Sequence, residues 1–200
     1  GLINSFERDG FHYDGGIRAM ENSGVLFPML KDLELDLPFL KNNITMGIGD
    51  RVIDIQSEDD LTAYQALLEH FYPENSSDIQ AITSRIKRIM HYMDVQYGID
   101  NPAFLDLKKD REYFLREILP WVFKYAVTAP RISALNEPVE RFLRKLTDNQ
   151  ALIDIIAQHF FKQTPAFFAL SYLKIYLDYH YPEGGTAAII QALLDTIQAH

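Results

Sequence analysis

The hydrophobic pattern of the chain changes its period at one place, close to Ser57. Before Ser57, short runs of β-branched and aromatic residues stand between glycine-containing turns, which is typical of β-strands. From Ser57 onward, apolar residues recur at helical spacing, which is typical of amphipathic helices. The pattern therefore predicts short strands followed by a mostly helical body.

Two β-hairpins are predicted ahead of this change. The first covers residues 3–14, and its turn falls at Asp9-Gly10, residue types that tolerate a positive φ. The second joins residues 44–48 to residues 51–55 through Gly49-Asp50. These hairpins supply all four of the predicted strands.

Helix starts are marked by residues that favour N-caps. Ser57, followed by Asp60, predicts the start of one helix, and Ser76 or Ser77 predicts the start of the next. The predicted helices are 25–33, 57–72, 76–97, 105–119, 121–129, 139–146, 152–161, 166–178 and 187–199.

Prolines and further polar residues divide the later helices. Pro73 is expected to end one helix, Pro120 to break or kink another, and Pro130 to follow the end of helix 121–129, because proline lacks an N–H group and restricts the preceding residue. Thr147 or Asp148 is expected to cap helix 152–161. The resulting fold class is α+β and mostly helical, with a β-hairpin segment 1–56, a helical body 57–178 and a closing segment 179–200.

A pair of glycines stands at each end of the helical body. Gly15-Gly16 follows the first hairpin, and Gly184-Gly185 precedes the alanine-rich helix 187–199. Glycine lets main chain approach a ligand closely, and a helix N-terminus carries free N–H groups and partial positive charge. We therefore expect an anionic or strongly polar cofactor at these segments.

Composition narrows the functional classes. The 200 residues contain no cysteine, which excludes disulfides and thiolate metal sites and favours a reducing compartment such as the cytoplasm. The formal charge of −9 disfavours nucleic acid as a partner. The sequence contains no run of about 18 apolar residues, which is the length that a membrane-spanning helix needs, so a soluble protein is expected. The chain has no initiator Met and opens within strand-like sequence, so we expect a piece of a longer protein.

Several common site motifs are missing from the sequence. No metal site is expected, because no two of the histidines at 12, 70, 91, 159, 180 and 200 have the spacing of a helical metal pair. His12 and His180 adjoin the glycine segments and are expected to be structural. The chain has no Gly-x-Ser-x-Gly nucleophile motif, P-loop or G-x-G-x-x-G turn. No residue can therefore be assigned as a catalytic group.

The second half of the chain is rich in aromatic side chains. Rings at helical spacing usually form core, but the number here also leaves open a wall for a long apolar ligand or an exposed patch that docks on a membrane surface. The rings are Tyr113, Phe114, Trp121, Phe123, Tyr125, Phe160, Phe161, Phe167, Phe168, Tyr172, Tyr176, Tyr179 and Tyr181.

Taken together, the two glycine segments resemble the phytoene desaturase and carotenoid isomerase group of FAD-dependent oxidoreductases, related to the amine oxidase superfamily. Residues 3–16 resemble the hairpin that follows the dinucleotide fold in this family. Residues 181–186 resemble its Tyr-Pro-x-Gly-Gly segment. Leu61, Tyr64, Leu67, Leu68, Phe71 and Pro73 follow the family's early helix pattern.

The resemblance implies a cofactor and its neighbours. In the complete protein, FAD would be bordered by Asp14, Gly15, Gly16, Gly184, Gly185 and Thr186. The family's upstream G-x-G-x-x-G and its C-terminal flavin segment are missing, so this piece alone is expected to bind no FAD and to be inactive. Its partner would be the remaining flavin-binding domain.

The resemblance also implies a substrate class. The helical body would form a cap over a channel for an elongated lipophilic substrate, such as a polyene, with a peripheral membrane contact. The candidate substrate residues are Trp121, Phe168, Tyr172, Tyr179 and Tyr181. The alternative is a stand-alone helical module that binds an apolar ligand or a partner protein without redox activity.

Overall fold

The computed structural model describes residues 3–106, 108–158 and 160–199. The chain is 56% helical with short antiparallel strand pairs, which confirms the α+β, mostly helical class. Leu107 and His159, which fall within two of the predicted helices, lie outside the described residues, as do Gly1, Leu2 and His200.

The elements follow one another in this order. The strands are β1 (Ser5–Arg8), β2 (Phe11–Asp14), β3 (Phe39–Lys41), β4 (Ile44–Ile48), β5 (Arg51–Ile55) and β6 (His180–Pro182). The helices are α1 (Leu26–Asp32), α2 (Leu61–Phe71), α3 (Ser76–Tyr97), α4 (Arg111–Tyr113), α5 (Leu119–Ser133), α6 (Val139–Leu143), α7 (Gln150–Ala157), α8 (Ala166–Tyr176) and α9 (Ala187–Ala199).

The chain divides into two compact units. The terminal unit comprises the described residues of 1–42, 100–110 and 178–200, and the central unit comprises those of 43–99 and 111–177. The second hairpin therefore belongs with the helices, whereas the sequence placed it in segment 1–56. The reason is packing, since Ile55 of β5 is buried in the same core as α2 and α3.

The terminal unit contains two strand pairs and the helices α1 and α9. Strands β1 and β2 form the predicted hairpin, with Asp9 and Gly10 at φ 53° and 78° in its turn. Strands β3 and β6 pair antiparallel, with Phe39 opposite Pro182. The β3–β6 pair was not predicted, because three-residue strands carry no readable alternation and their pairing is far apart in sequence.

The central unit has a continuous apolar core. Helix α3 contributes one side of it through Ile79, Ile82 and Ile86, which are almost completely buried. The β4–β5 hairpin covers part of this core, and Gly49 in its turn has φ 58°. A Cβ at Gly49 would approach the Phe71 ring to 3.2 Å, so the turn requires glycine both for its backbone conformation and for space.

Three N-cap positions were predicted, and the structure agrees with the prediction at the first and differs at the other two. The Asp60 carboxylate accepts a hydrogen bond from the Ser57 N–H at 2.8 Å, as expected. Asn75, rather than Ser76 or Ser77, precedes α3.

Helix α7 is capped by Asn149, whose side chain accepts from the Leu152 N–H at 3.2 Å. The predicted cap Thr147 instead donates its hydroxyl to Asp78 at 2.7 Å. This bond joins residues distant in sequence, so the sequence pattern could not reveal it.

The helix does not break at Pro120, and the prediction that it ends before Pro130 was wrong. A π-helical turn, Phe114–Ile118, joins α4 to α5, and the Leu119 N–H donates to the Phe114 carbonyl. Pro120 directly follows this π-helical turn, and the helix continues through it although the missing N–H leaves one carbonyl of the preceding turn without its usual donor. Pro130 lies inside α5, which continues to Ser133. The helical stretch therefore runs from 111 to 133 without interruption.

The helix predicted over 105–119 begins later than expected, at Arg111. Asp110 accepts from the Asp106 N–H at 2.9 Å, and Asp106 accepts from the Lys108 N–H at 2.8 Å. Such local side-chain bonds compete with helix formation. Among the described residues, no helix combines the length and the apolar character needed to cross a membrane.

Candidate functional site

The two glycine segments meet around the carboxylate of Asp14 in the terminal unit. Asp14 ends β2, and the Tyr181 hydroxyl donates to its Oδ2 at 2.6 Å. The Thr186 N–H and hydroxyl both donate to Oδ1, at 3.2 Å and 3.0 Å. Residues 14–16 and 181–186 are therefore in direct contact, although more than 160 positions separate them in the sequence.

Strand β1 completes this cluster. Ser5 lies opposite Asp14 in the hairpin and donates its hydroxyl to Oδ1 at 2.9 Å. The same hydroxyl accepts from the Ala187 N–H at 3.2 Å, and the Asn4 carbonyl accepts from the Gly15 N–H at 2.7 Å. We refer to Ser5, Asp14, Tyr181 and Thr186 as the Asp14 cluster.

The start of α9 differs from the expectation for a free anion site. The N–H groups of Thr186 and Ala187 already donate to Asp14 and Ser5, so the chain itself supplies the negative charge at this helix end. Thr186, expected to border the cofactor, is completely buried. Its role in this structure is to hold Asp14, and the phosphates of a cofactor would find these donors occupied.

The glycines of the two segments have different roles. Gly184 and Gly185 have φ 86° and 87°, a region that favours glycine. A Cβ at Gly185 would lie 3.3 Å from the Ser5 hydroxyl and 3.5 Å from Asp14, so internal packing requires this glycine.

Gly15, Gly16 and Gly184 are solvent-exposed and present bare main chain beside the half-buried Asp14. These residues fit contact with the face or edge of a flat ring, which needs close main-chain approach. They do not fit the binding of a pyrophosphate at α9.

The cluster changes the acidity of its members. Partial burial by itself would raise the pKa of Asp14, but the hydrogen bonds from Tyr181, Ser5 and Thr186 outweigh it and lower the pKa to about 2. The same bond raises the pKa of the Tyr181 phenol. Asp14 is therefore a fixed anion at neutral pH rather than a proton donor or acceptor.

This acidity gives a pH-dependent prediction. Because the pKa of Asp14 falls on folding from 3.8 to about 2, the stabilisation is present above about pH 4 and is lost as the pH falls through about 2. In an NMR titration, the carboxyl carbon of Asp14 should show its midpoint near the lower value. Ser5→Ala and Tyr181→Phe should each move the midpoint upward. A midpoint near 3.8 in the unchanged chain would contradict the hydrogen-bonded cluster.

The central unit contains a cleft of about 600 Å³ between the end of α3 and α5. Trp121 lies in its wall, donates its indole N–H to the Val95 carbonyl, and stacks on Tyr125 with the ring centroids 5.0 Å apart. The lining residues are His91, Asp94, Val95, Gly98, Ile99, Glu117, Trp121, Phe123, Lys124, Val127 and Thr128. The volume is within the usual range for small-molecule sites.

Part of the charge in this cleft is internally paired. Asp94 forms an ion pair with Lys174 at 2.9 Å, and Lys174 also forms an ion pair with Glu58 at 2.6 Å. Burial by itself would lower the pKa of Lys174, but the two carboxylates raise it, so the ammonium group remains charged. With Asp94 engaged in this way, the apolar walls of the cleft suit the apolar body of a ligand.

The five candidate substrate residues do not form one site. Trp121 lines the cleft, whereas Phe168 and Tyr172 lie on α8 in edge-to-face contact with Phe160. The cavity beside Tyr172 has a volume of only about 20 Å³, roughly the space of a single water. These α8 rings therefore pack on one another and on Phe160, with Phe168 still 42% exposed and Tyr172 half-buried, and the cavity beside Tyr172 leaves no room for an elongated ligand.

The other two candidates belong to the terminal unit. Tyr181 binds Asp14, and the Tyr179 carbonyl accepts from the Asn42 N–H at 2.8 Å. Tyr181 is thus part of the Asp14 cluster, and the main chain of Tyr179 extends the β3–β6 pairing.

The two histidines beside the glycine segments, His12 and His180, make contacts within the chain. His12 is exposed and 4.0 Å from Glu7. His180 is half-buried against the Phe27 ring, with Nδ1 2.8 Å from the Asp178 carbonyl. In the part of the chain that the structure describes, no three His, Cys, Asp or Glu side chains are grouped so that they could hold a metal ion. His159 and His200 lie outside that part.

Sequence reasoning located the glycines and Asp14 but missed Ser5. The signal was available, because the predicted hairpin register places Ser5 opposite Asp14. Comparison with protein-family models, with curated proteins and with solved structures finds no match. We therefore infer the function from the geometry of the site and from the resemblance of its motifs.

Proposed function

We propose that this chain is the substrate-binding part of a larger FAD-dependent oxidoreductase, related to the phytoene desaturases and acting on a lipophilic substrate such as a polyene. It would act in the cytoplasm, a location that the lack of cysteine supports. The terminal unit would border the cofactor held mainly by the remaining flavin-binding domain, and the central unit would supply the helical cap.

The observation that carries this proposal is the meeting of the two glycine segments at Asp14. The hypothesis required residues 14–16 and 181–186 to lie together, and four hydrogen bonds from Ser5, Tyr181 and Thr186 hold Asp14 between them. The backbone conformation explains Gly184, at φ 86°, but not Gly15 or Gly16, which have no positive φ, and close approach of a ligand would explain these two. Their exposed main chain supports contact with a planar group.

The chain's own residues would position the cofactor and the substrate and would not react themselves. When bound, the flavin supplies the redox chemistry by accepting a hydride equivalent from a C–H bond of the substrate. Asp14, held as an anion, keeps the hairpin and the start of α9 in place, and Gly15, Gly16 and Gly184 offer main chain at the surface. The apolar part of the cleft beside Trp121 would exclude water from a lipophilic substrate.

A second candidate, a stand-alone helical module that binds an apolar ligand or a partner protein, is favoured by one observation. The central unit has its own core and contains the cleft beside Trp121, so ligand binding there would not need the Asp14 cluster. The two candidates differ in whether the complete protein binds flavin.

The test is the flavin content of the complete polypeptide that contains this chain. We expect it to be purified yellow, with the visible absorption of a flavin. Gly15→Ala should weaken FAD binding by about tenfold or more, equivalent to about 1.4 kcal/mol, because a Cβ there would separate a flat ring from the main chain. Gly47→Ala is the matched control, since both glycines lack a positive φ and neither new Cβ would approach another atom closer than 3.4 Å.

The outcomes separate the candidates. A colourless protein with no affinity for added FAD would overturn the oxidoreductase proposal and favour the helical module. A yellow protein in which Gly15→Ala binds FAD as tightly as Gly47→Ala would show that the glycine segments do not border the cofactor.

A further inference from the structure

One wall of the cleft beside Trp121 carries charges as well as apolar groups. Glu117, Trp121 and Lys124 follow one another along the helical stretch 111–133 at i, i+4 and i+7, and all three line the cleft. Residues at this spacing share one side of a helix. An acidic group, an indole ring and a basic group therefore stand in a row along this wall. We refer to these three residues as the cleft row.

The fold does not use the two charges of the cleft row. Among the residues that the structure describes, neither the Glu117 carboxylate nor the Lys124 ammonium group lies within ion-pair distance of an opposite charge. Asp94, the other carboxylate that lines the cleft, differs, since it pairs with Lys174 and lies 4.0 Å from His91. A ligand would therefore meet one available carboxylate and one available ammonium group.

The middle of the cleft row offers an apolar surface. The Trp121 indole N–H already donates to the Val95 carbonyl, and the ring stacks on Tyr125, which does not line the cleft. The indole therefore presents no unsatisfied polar atom to a ligand. Phe123 and Val127 extend the apolar wall beside it.

Glu117 lies in an unusual stretch of backbone. It belongs to the π-helical turn Phe114–Ile118. Such turns are rare and occur frequently at functional sites. The turn therefore supports a ligand-binding role for the wall that Glu117 lines.

The length of the cleft row indicates the size of its ligand. Seven residues of helix rise about 10 Å, so Glu117 and Lys124 are separated by about that distance along the helix axis. Three residues of fully extended chain span at most about 10 Å. An extended tripeptide would therefore place its α-ammonium and α-carboxylate groups at a matching separation, with its side chains between them.

We propose that the cleft binds a zwitterionic ligand with an apolar middle, of the size of a tripeptide. Its ammonium group would face Glu117, its carboxylate would face Lys124, and its apolar side chains would pack on Trp121. The apolar wall would supply most of the affinity, because exposed ion pairs contribute little, and the two charges would select and orient the ligand.

This binding requires no flavin. If the proposed function holds, the lipophilic substrate of this cleft would carry both charges, and only that narrowing of the substrate class rests on the proposed function. A neutral polyene would use the apolar wall alone and leave Glu117 and Lys124 without partners.

The fluorescence of Trp121 measures binding to the 200-residue chain, because Trp121 is the single tryptophan and lines the cleft. We expect trileucine to bind, and N-acetylation or C-terminal amidation to weaken its binding by about three- to fivefold each, since each removes one exposed ion pair. Triglycine has the same charges without apolar side chains and should bind at least about tenfold more weakly.

Two variants assign the charged contacts. Glu117→Gln should weaken the binding of trileucine by about three- to fivefold but leave that of N-acetyl-trileucine unchanged, because the acetylated peptide has no ammonium group. Lys124→Gln should likewise weaken the binding of trileucine and spare trileucine amide. Lys87→Gln is the matched control, since Lys87 is exposed on α3 and does not line the cleft. Far-UV circular dichroism of each variant verifies that the helices remain.

Three results would overturn the proposal. The first is no change in fluorescence with trileucine at any concentration up to roughly 10 mM, which is above a millimolar Kd. The second is equally tight binding of trileucine blocked at both ends, which would show that the cleft selects apolar ligands alone. The third is a loss of binding in Glu117→Gln and Lys124→Gln no larger than in Lys87→Gln. Because the assay contains no flavin, its failure leaves the proposed oxidoreductase function to its own test.

Discussion

Replacing Asp14 with alanine is expected to lower the stability of the terminal unit by about 2 to 4 kcal/mol. The change removes the acceptor of four hydrogen bonds, from Ser5, Tyr181 and Thr186. Thr186 is completely buried, so its N–H would lose its partner away from water, and its hydroxyl would keep only the longer bond to the Asn4 carbonyl, at 3.4 Å. The change also removes the negative charge at the start of α9.

Amide hydrogen exchange along α9 measures this effect in the terminal unit itself. Protection of α9 should fall strongly in Asp14→Ala and less in Asp14→Asn, which keeps one acceptor oxygen. Asp54→Ala is the control, because Asp54 accepts a single bond from Thr45, at 2.8 Å, on the solvent-exposed face of the β4–β5 hairpin. Unchanged protection of α9 in Asp14→Ala would contradict the organising role of the cluster.

Ile82→Ala is expected to lower the free energy of unfolding of the central unit by about 3 kcal/mol. Ile82 is completely buried on α3 in the apolar core, so truncation removes buried methyl groups and leaves a cavity. Ile82→Val, which removes one methyl group, should cost about 1 kcal/mol.

Urea unfolding followed by fluorescence measures this change, because Trp121, the single tryptophan, lies in the central unit. Val52→Ala is the control, since Val52 is 65% exposed on β5 and its truncation should change stability by less than about 0.5 kcal/mol. Similar losses in Ile82→Ala and Val52→Ala would mean that α3 does not form the centre of this core.

The candidate site was only partly predictable. The glycine pairs could be found because glycine is itself a turn signal, and Gly184 and Gly185 do have a positive φ, whereas Asp14 was named only through the family resemblance. The use of the α9 N–H groups by Asp14 and Ser5 could not be found in the same way. A helix N-terminus has the same sequence signature whether its donors bind a ligand or another part of the chain.

The aromatic residues illustrate the same limit. Trp121, Phe168 and Tyr172 were equivalent candidates, since each belongs to a ring-rich helical pattern. In the structure Trp121 lines a cleft, whereas Phe168 and Tyr172 pack on Phe160. Spacing assigns a ring to a face of a helix, but the neighbouring helices decide whether that face meets core, cleft or solvent.

The sequence by itself determined the local structure: the two hairpins, most of the helices and the exact span of α9 follow from side-chain periodicity and turn residues. Tertiary structure alone decided the β3–β6 pair, the continuous helical stretch through Pro120 and the bonds that gather Ser5, Tyr181 and Thr186 on Asp14. The physical reason is the distance along the chain over which each interaction acts. Periodicity and turn residues report on a few neighbouring positions. The strand pair and the Asp14 bonds join segments far apart in sequence, and the sequence pattern does not show whether a helix will continue through a residue without an N–H.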